Sequence, residues 1–135
     1  MTLQWSTTVR NARLAAIPSA IGESPWLQLF TGAAPTTCAS SETGTLLAEI
    51  QLATTWTSVP VSGSMSLTNL PISLTGIADG SAGHYRIVDS TKTTCHEQGS
   101  TSVAGYGGDL IVDYPTVTVG RVINIVSFSK TESGI

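Results

Sequence analysis

The hydrophobic pattern of this chain changes its period once, near Pro25, and this change limits the folds open to it. After that point, short runs rich in β-branched residues alternate with Gly, Pro and Asn turns, spaced by about 8–12 residues. Such spacing is typical of β-sandwiches and small β-barrels. We therefore predict an all-β fold, a β-sandwich of jelly-roll type with one short N-terminal α-helix. A chain of 135 residues is expected to form a single domain over residues 1–135.

Residues 1–24 carry a helical pattern, and residues 25–135 are assigned to the β-sandwich. Trp5, Val9, Ala12 and Ala16 recur at spacings of four, three and four, which places them on one face of a helix. A helix of about ten to fifteen residues is too short to be stable unless it docks on something. We expect this apolar stripe to cover the open face of the domain's own sheet.

Polar and proline residues mark the ends of the predicted helix. Ser6 or Thr7 can supply the N-cap oxygen. Pro18 either ends the helix, because it lacks the N–H of a helix interior, or opens a further turn. Gly22 then closes the segment.

The same segment also defines a candidate interface. Instead of covering the sheet of its own domain, the helix could pack on a neighbouring subunit. Arg10 and Arg13 lie three positions apart on the side opposite the stripe, where they would face an acidic partner. The candidate interface residues are Trp5, Val9, Arg10 and Arg13.

Seven later segments are predicted as strands, the last of them divisible by Gly120. Pro71 lies in the segment Leu70–Leu74 and lacks a backbone N–H, which predicts an edge strand or a bulge there. The loop that begins at Trp56 is expected to be irregular and exposed, and the glycines around Tyr106 indicate a hairpin connection. The segments are Trp26–Phe30, Thr45–Ala53, Leu70–Leu74, His84–Asp89, Thr93–Gln98, Asp109–Asp113 and Val117–Thr131.

The charge content argues against several classes of partner. Charged residues make up 11% of the chain, against a usual share of about 25%. The net charge is −3 and the six basic residues are scattered, so we expect no nucleic-acid partner. The aliphatic runs at residues 110–112 and 122–125 fall far short of the roughly 18 residues of a membrane span, so we expect no membrane partner. Residues 14–21 are too short and too polar for an export signal, which predicts synthesis in a reducing cytoplasm.

No cluster of reactive side chains has the spacing of an active site. Cys95, His96 and Glu97 are adjacent, but neighbouring strand residues point to opposite faces, and paired metal-ligand spacing is absent. Asp109 and Asp113 lie roughly 13 Å apart along a strand, too far for a carboxylate pair. We expect no enzymatic activity, no metal and no cofactor.

Cys38 and Cys95 remain a possible disulfide. The bond would close a loop of 57 residues (95 minus 38), which the chain-entropy model values at about 4 kcal/mol. Synthesis in a reducing compartment argues against the bond, and oxidation after cell lysis would permit it. Both alternatives stay open at this point.

Several stretches carry a resemblance that spans nearly the whole chain. The sequence resembles a family of small proteins of similar length, encoded among the structural genes of tailed bacteriophages and prophages. Pro18 and residues 67–77 depart from the family's pattern. The stretches are Ser6–Leu14, Thr31–Pro35 with Cys38, Gly80–Ile87, Thr93–His96 and Gly107–Asp109.

The resemblance implies a virion component and supplies no catalytic residues. We expect a capsid decoration, or cement, protein made in the host cytoplasm and carried on the capsid surface. Its expected partners are the major capsid protein or other virion proteins, and copies of itself in a dimer or trimer. The alternatives are a neck or tail component, or a glycan-binding adhesion module that uses Trp56.

Overall fold

The N-terminal helix α1 spans Thr7–Ile21. Ser6 is its N-cap, and the Ser6 hydroxyl accepts a hydrogen bond of 3.2 Å from the backbone N–H of Val9. Pro18 lies inside the helix, which continues through it to Ile21. Gly22 ends the helix with a φ of 95°, a conformation that glycine adopts without a Cβ clash, and its N–H donates to the Pro18 carbonyl.

The helix buries a different face from the one predicted. Leu14 and Ile21 are buried and Ile17 is half-buried, at spacings of three and four. The predicted stripe faces solvent instead, with Trp5 40% and Val9 38% exposed. The expectation that this stripe covers the domain's own sheet is therefore wrong. Leucine and isoleucine side chains bury more apolar area than the alanines of the predicted stripe, so they determine which face docks.

The computed structural model describes residues 3–132, and ten strands follow the helix within them. The prediction of an all-β fold with one N-terminal helix is confirmed. The strands are β1 (Trp26–Thr31), β2 (Leu46–Gln51), β3 (Ser64–Ser66), β4 (Ile72–Thr75), β5 (Gly80–Val88), β6 (Cys95–Ser102), β7 (Leu110–Val112), β8 (Thr116–Val117), β9 (Val122–Ser127) and β10 (Ser129–Thr131).

The main sheet curls into a nearly closed, barrel-like sandwich. Its strand order is β2-β1-β5-β6-β7-β9-β4, with β8 paired to the start of β5. The two end strands β2 and β4 contact each other, and just beyond β4 the N–H of Ile77 donates to the carbonyl of Leu47 on β2 at 2.8 Å. A separate two-stranded sheet joins β3 to β10.

Alternation along the strands builds the core. On β1, Leu27 and Leu29 are fully buried inside, and on β9 Ile123 and Ile125 occupy equivalent positions. Ile17 and Ile21 bring the helix onto this core. The other large apolar side chains that are fully buried are Leu14, Leu47, Leu74, Ile87, Leu110, Val112 and Val117.

Several strand predictions are refined by the structure. The edge position predicted from Pro71 is confirmed, since β4 begins at Ile72 and ends the strand order. The predicted Val117–Thr131 strand divides into parts of β8, β9 and β10. The Tyr106 loop is not a hairpin, because β6 and β7 pair in parallel.

The loop that follows β2 holds a core residue. Trp56 was expected to be exposed, but it is only 2% exposed and belongs to the core. Its indole N–H donates to the Gly22 carbonyl at the end of α1, at 3.1 Å. The bond satisfies the indole inside the protein and ties the loop to the helix end. The expectation of an exposed Trp56 is therefore wrong.

Trp56 and Trp5 are predicted to contribute very differently to stability. We expect Trp56→Ala to lower the free energy of unfolding by about 3–5 kcal/mol, because it leaves a cavity and an unpaired carbonyl. Trp5→Ala should lower it by less than about 1 kcal/mol, because the side chain is 40% exposed and lies outside the core. Urea unfolding of both variants measures the difference, and equal losses would contradict the burial described for these side chains.

Candidate functional site

The outer face of β5 carries a buried polar cluster. His84 and Arg86 point away from the core, yet they are 0% and 6% exposed because residues 32–44 fold over them. Phe30 of β1 stacks on the His84 ring with centroids 5.3 Å apart. The connection between β1 and β2 is thus fastened to the outside of the sheet. We call this cluster, formed by Cys38, Glu42, His84, Arg86 and Cys95, the loop-anchoring cluster.

Arg86 is the centre of the loop-anchoring cluster. One terminal nitrogen donates to the carbonyls of Cys38 and Ser40, at 2.7 and 3.0 Å. The other lies 3.6 Å from a carboxylate oxygen of Glu42. The Nε–H donates to the Sγ of Cys95 at 3.1 Å. A single planar guanidinium therefore holds a loop and a strand together, as its rigid fork of donors allows.

Glu42 closes the other side of the cluster. Its carboxylate lies 3.0–3.1 Å from Nε2 of His84, whose Nδ1 lies 2.9 Å from the Gly32 carbonyl. The backbone N–H groups of Thr43 and Gly44 also donate to Glu42. Burial acts to raise the pKa of Glu42, but the hydrogen bonds from Gly44, His84 and Thr43 outweigh it, and the pKa is lowered.

The two cysteines meet at the edge of this cluster. Cys38 lies in the loop and Cys95 begins β6, and their Sγ atoms are 2.8 Å apart with both residues present as free thiols. Burial, followed by the neighbouring Cys95, raises the pKa of Cys38 to about 11. A pocket of about 340 Å³ is lined by both cysteines. The fold thus brings together the two residues singled out as a possible disulfide.

A second buried polar group lies below the helix. The Tyr85 hydroxyl donates to Glu97 at 2.6 Å, and Lys130 of β10 forms an ion pair with the same carboxylate. Burial and the adjacent Glu97 raise the pKa of Tyr85, so its hydroxyl stays protonated and donates. Phe128 packs edge-on against the Tyr85 ring. This group ties β10 to β5 and β6.

The arginines of the candidate interface have partners within the chain. Arg13 forms an ion pair of 3.0 Å with Glu132, and its guanidinium lies over the Trp5 ring. Arg10 donates to the hydroxyl of Thr7. The acidic group that Arg13 meets is thus the chain's own.

The side chains of Cys95, His96 and Glu97, which are adjacent in sequence, point in different directions. His96 is exposed, whereas Cys95 faces the loop and Glu97 faces Tyr85. Within residues 3–132, no group of three or more His, Cys, Asp or Glu side chains is placed to hold a metal ion. The Asp109 carboxylate instead accepts hydrogen bonds from the backbone N–H and from the hydroxyl of Ser100.

One sheet face is free of charge. Strands β4 and β9 contain no charged residue, and on their outer side Val122 and Val126 are 52% and 50% exposed. We call the surface of Ser73, Thr75, Val122, Asn124 and Val126 the β4–β9 face. Pairing of Ser73 with Asn124 and of Thr75 with Val122 makes it continuous.

The carboxylate of Asp113 is turned onto the rim of this face. Both oxygens of Asp113 accept hydrogen bonds from Asn124, one from the backbone N–H at 2.9 Å and one from the side-chain amide at 3.0 Å. Burial acts to raise the pKa of Asp113, but the bonds from Asn124 outweigh it and lower the pKa. The five side chains of the face are thus neutral, and the carboxylate of Asp113 at its rim is held by Asn124.

Comparison with protein-family models, with curated proteins and with solved structures gives no match. Among residues 3–132, α1 is too short and too polar to cross a membrane, so the structure contains no membrane-spanning helix there.

Glu42 of the loop-anchoring cluster makes the free energy of unfolding depend on pH. Because the folded-state pKa of Glu42 is below its ordinary value of 4.5, its contribution to stability is full above about pH 4.5 and is lost as the pH falls through the folded-state value. Glu42→Gln should therefore be less stable than the wild type at neutral pH, and the two should converge in acid.

Urea unfolding between neutral and acid pH measures this convergence. Glu23→Gln makes the same change on an exposed side chain and controls for the loss of one carboxylate. A gap between Glu42→Gln and the wild type that stays constant down to low pH would show that the carboxylate is not held by the loop-anchoring cluster.

Proposed function

We propose that this chain is a non-enzymatic structural protein of a bacteriophage virion, a decoration protein that binds the major capsid protein and stabilises the shell. The observation that carries the proposal is the uncharged β4–β9 face, with its half-exposed Val122 and Val126. The resemblance to proteins encoded among phage structural genes supports the same assignment.

The distribution of charge supports a role in assembly. Of the six basic side chains, Arg13, Arg86, Lys92 and Lys130 form ion pairs with carboxylates of the same chain. Arg121 lies over the Tyr114 ring at 4.1 Å. Charges already paired within the subunit do not present a basic surface to phosphate groups. They also leave large areas that can be buried against a neighbour.

The chemistry of the β4–β9 face fits a contact with another protein. Burying a charged group in an interface carries a desolvation penalty of several kcal/mol, and this face carries no charged group. Interface centres are likewise depleted of charged residues. The hydroxyls of Ser73 and Thr75 provide hydrogen bonds that orient a partner. We assign the capsid protein as the occupant of this face.

Self-association is part of the same proposal. Repeated virion proteins commonly form closed rings, in which one contact repeated around an axis satisfies every copy. The exposed Trp5 and Val9, next to Arg10 and Arg13, are the surface we assign to contacts between copies in a dimer or trimer. Light scattering at tens of micromolar tests this part, and a strictly monomeric chain would overturn it.

Copy number distinguishes the decoration protein from other virion components. In particles purified from the phage that encodes this chain, quantitative peptide mass spectrometry should find on the order of hundreds of copies, as a capsid lattice requires. A number on the order of ten would indicate a ring at the neck or tail and overturn the decoration role. Absence from the particles would overturn the virion assignment itself.

A charge placed on the β4–β9 face should prevent incorporation. Val126→Glu is expected to change the free energy of unfolding by less than about 1 kcal/mol, because the side chain is half in water. It should nevertheless sharply reduce the number of copies per particle, because the new charge must be desolvated in the contact.

The matched control is Val59→Glu, the same substitution at a loop position that is 81% exposed and lies outside this face. It should incorporate like the wild type. If Val126→Glu folds and incorporates equally well, the β4–β9 face does not bind the capsid.

A further inference from the structure

We propose that Cys38 and Cys95 form a thiol–disulfide exchange site that reacts with low-molecular-weight disulfides, such as oxidised glutathione, and becomes an intramolecular disulfide. Two observations carry this proposal. The fold places the two sulfurs in direct contact from elements 57 positions apart. Both sulfurs also line a pocket at the surface of the sheet.

The surroundings hold the two thiols in a reactive arrangement. Arg86 fixes both partners, because it donates to the Cys95 sulfur and to the backbone carbonyl of Cys38. Neither cysteine is fully buried, so an external disulfide can approach. The pocket of about 340 Å³ beside them is lined by small and polar side chains, including Ser40, Ser41 and Thr93.

The order of reaction follows from the two sulfurs' environments. Arg86 donates a hydrogen bond to the Cys95 sulfur but only to the backbone carbonyl of Cys38, so the cation is bonded directly to Cys95, and Cys95 is the sulfur that attacks first. Burial, which raises the pKa of Cys38 to about 11, acts in the same direction. Cys95 gives up its proton to solvent and attacks one sulfur of the external disulfide, whose S–S bond breaks. One glutathione leaves as a thiolate, and a mixed disulfide remains on Cys95.

The second step closes the bond inside the protein. Cys38 loses its proton to solvent and attacks the Cys95 sulfur, which it already contacts. The mixed disulfide breaks and the second glutathione leaves. In sum, two protein thiols are oxidised to one disulfide, and one oxidised glutathione is reduced to two molecules of the thiol. The proton taken from each cysteine balances the proton gained by each departing thiolate.

The product changes how the loop is held. In the thiol form, residues 32–44 are attached through the hydrogen bonds of Arg86 and Glu42. The disulfide adds a covalent bond between this loop and β6 and restricts the unfolded chain across 57 residues. A chain that is reduced at synthesis therefore becomes more resistant to unfolding once it meets an oxidising medium.

Native protein incubated with oxidised glutathione tests the proposal. Intact-mass spectrometry should show the loss of two hydrogen atoms and no retained glutathione, and thiol titration should find both cysteines consumed. Thermal unfolding should shift upward by several degrees, and dithiothreitol should restore the original midpoint. Unreacted thiols, a stably retained glutathione or a chain-to-chain disulfide would each overturn the proposal.

Two variants report on the order of the steps. Cys38→Ser should stop after the first step, with glutathione retained on Cys95 and no upward shift of the unfolding midpoint. Cys95→Ser should react much more slowly with oxidised glutathione, because the remaining Cys38 sulfur is not the one to which Arg86 donates. Equal rates of adduct formation in the two variants would overturn the assignment of Cys95 as the attacking sulfur.

Discussion

The guanidinium of Arg86 is the interaction on which the outer side of the sheet depends. It is almost fully buried, it donates to two loop carbonyls and one sulfur, and it lies within ion-pair distance of one carboxylate. A buried cation is tolerated only when its donors are matched by acceptors, and residues 32–44 provide them. The loop and the arginine therefore require each other, and the thiol pair and the Glu42–His84 contact exist only because this loop lies where it does.

The sequence predicted the fold class well, because period-two alternation and turn residues are local signals. It failed where burial depends on distant partners. The Trp5 stripe and the Leu14 stripe both have helical spacing, and only the shape of the sheet decides which one docks. Trp56 lies in an irregular segment, and its burial depends on the end of α1. Arg86 and Glu42 are 44 positions apart, and nothing in their local spacing indicates contact.

Many of the charged and polar side chains find their partners within the chain itself. The Glu97 carboxylate accepts a hydrogen bond from Tyr85 and forms an ion pair with Lys130. The Asp113 carboxylate accepts hydrogen bonds from Asn124. With these polar groups satisfied internally, much of the remaining surface consists of hydroxyls, small side chains and exposed aliphatic or aromatic groups. Such a surface favours contacts that depend on shape, which agrees with the role proposed above.

The contact between β2 and β4 limits how the main sheet can pair with strands of other molecules. An open sheet presents unpaired backbone N–H and C=O groups that can recruit a strand from another molecule, and this is how many β-proteins polymerise. Here the two terminal strands of the main sheet face one another, and the Ile77–Leu47 bond bridges the gap between them. In the assembly proposed above, the main sheets of neighbouring copies are thereby kept from pairing edge to edge, which leaves side-chain surfaces for the contacts between copies.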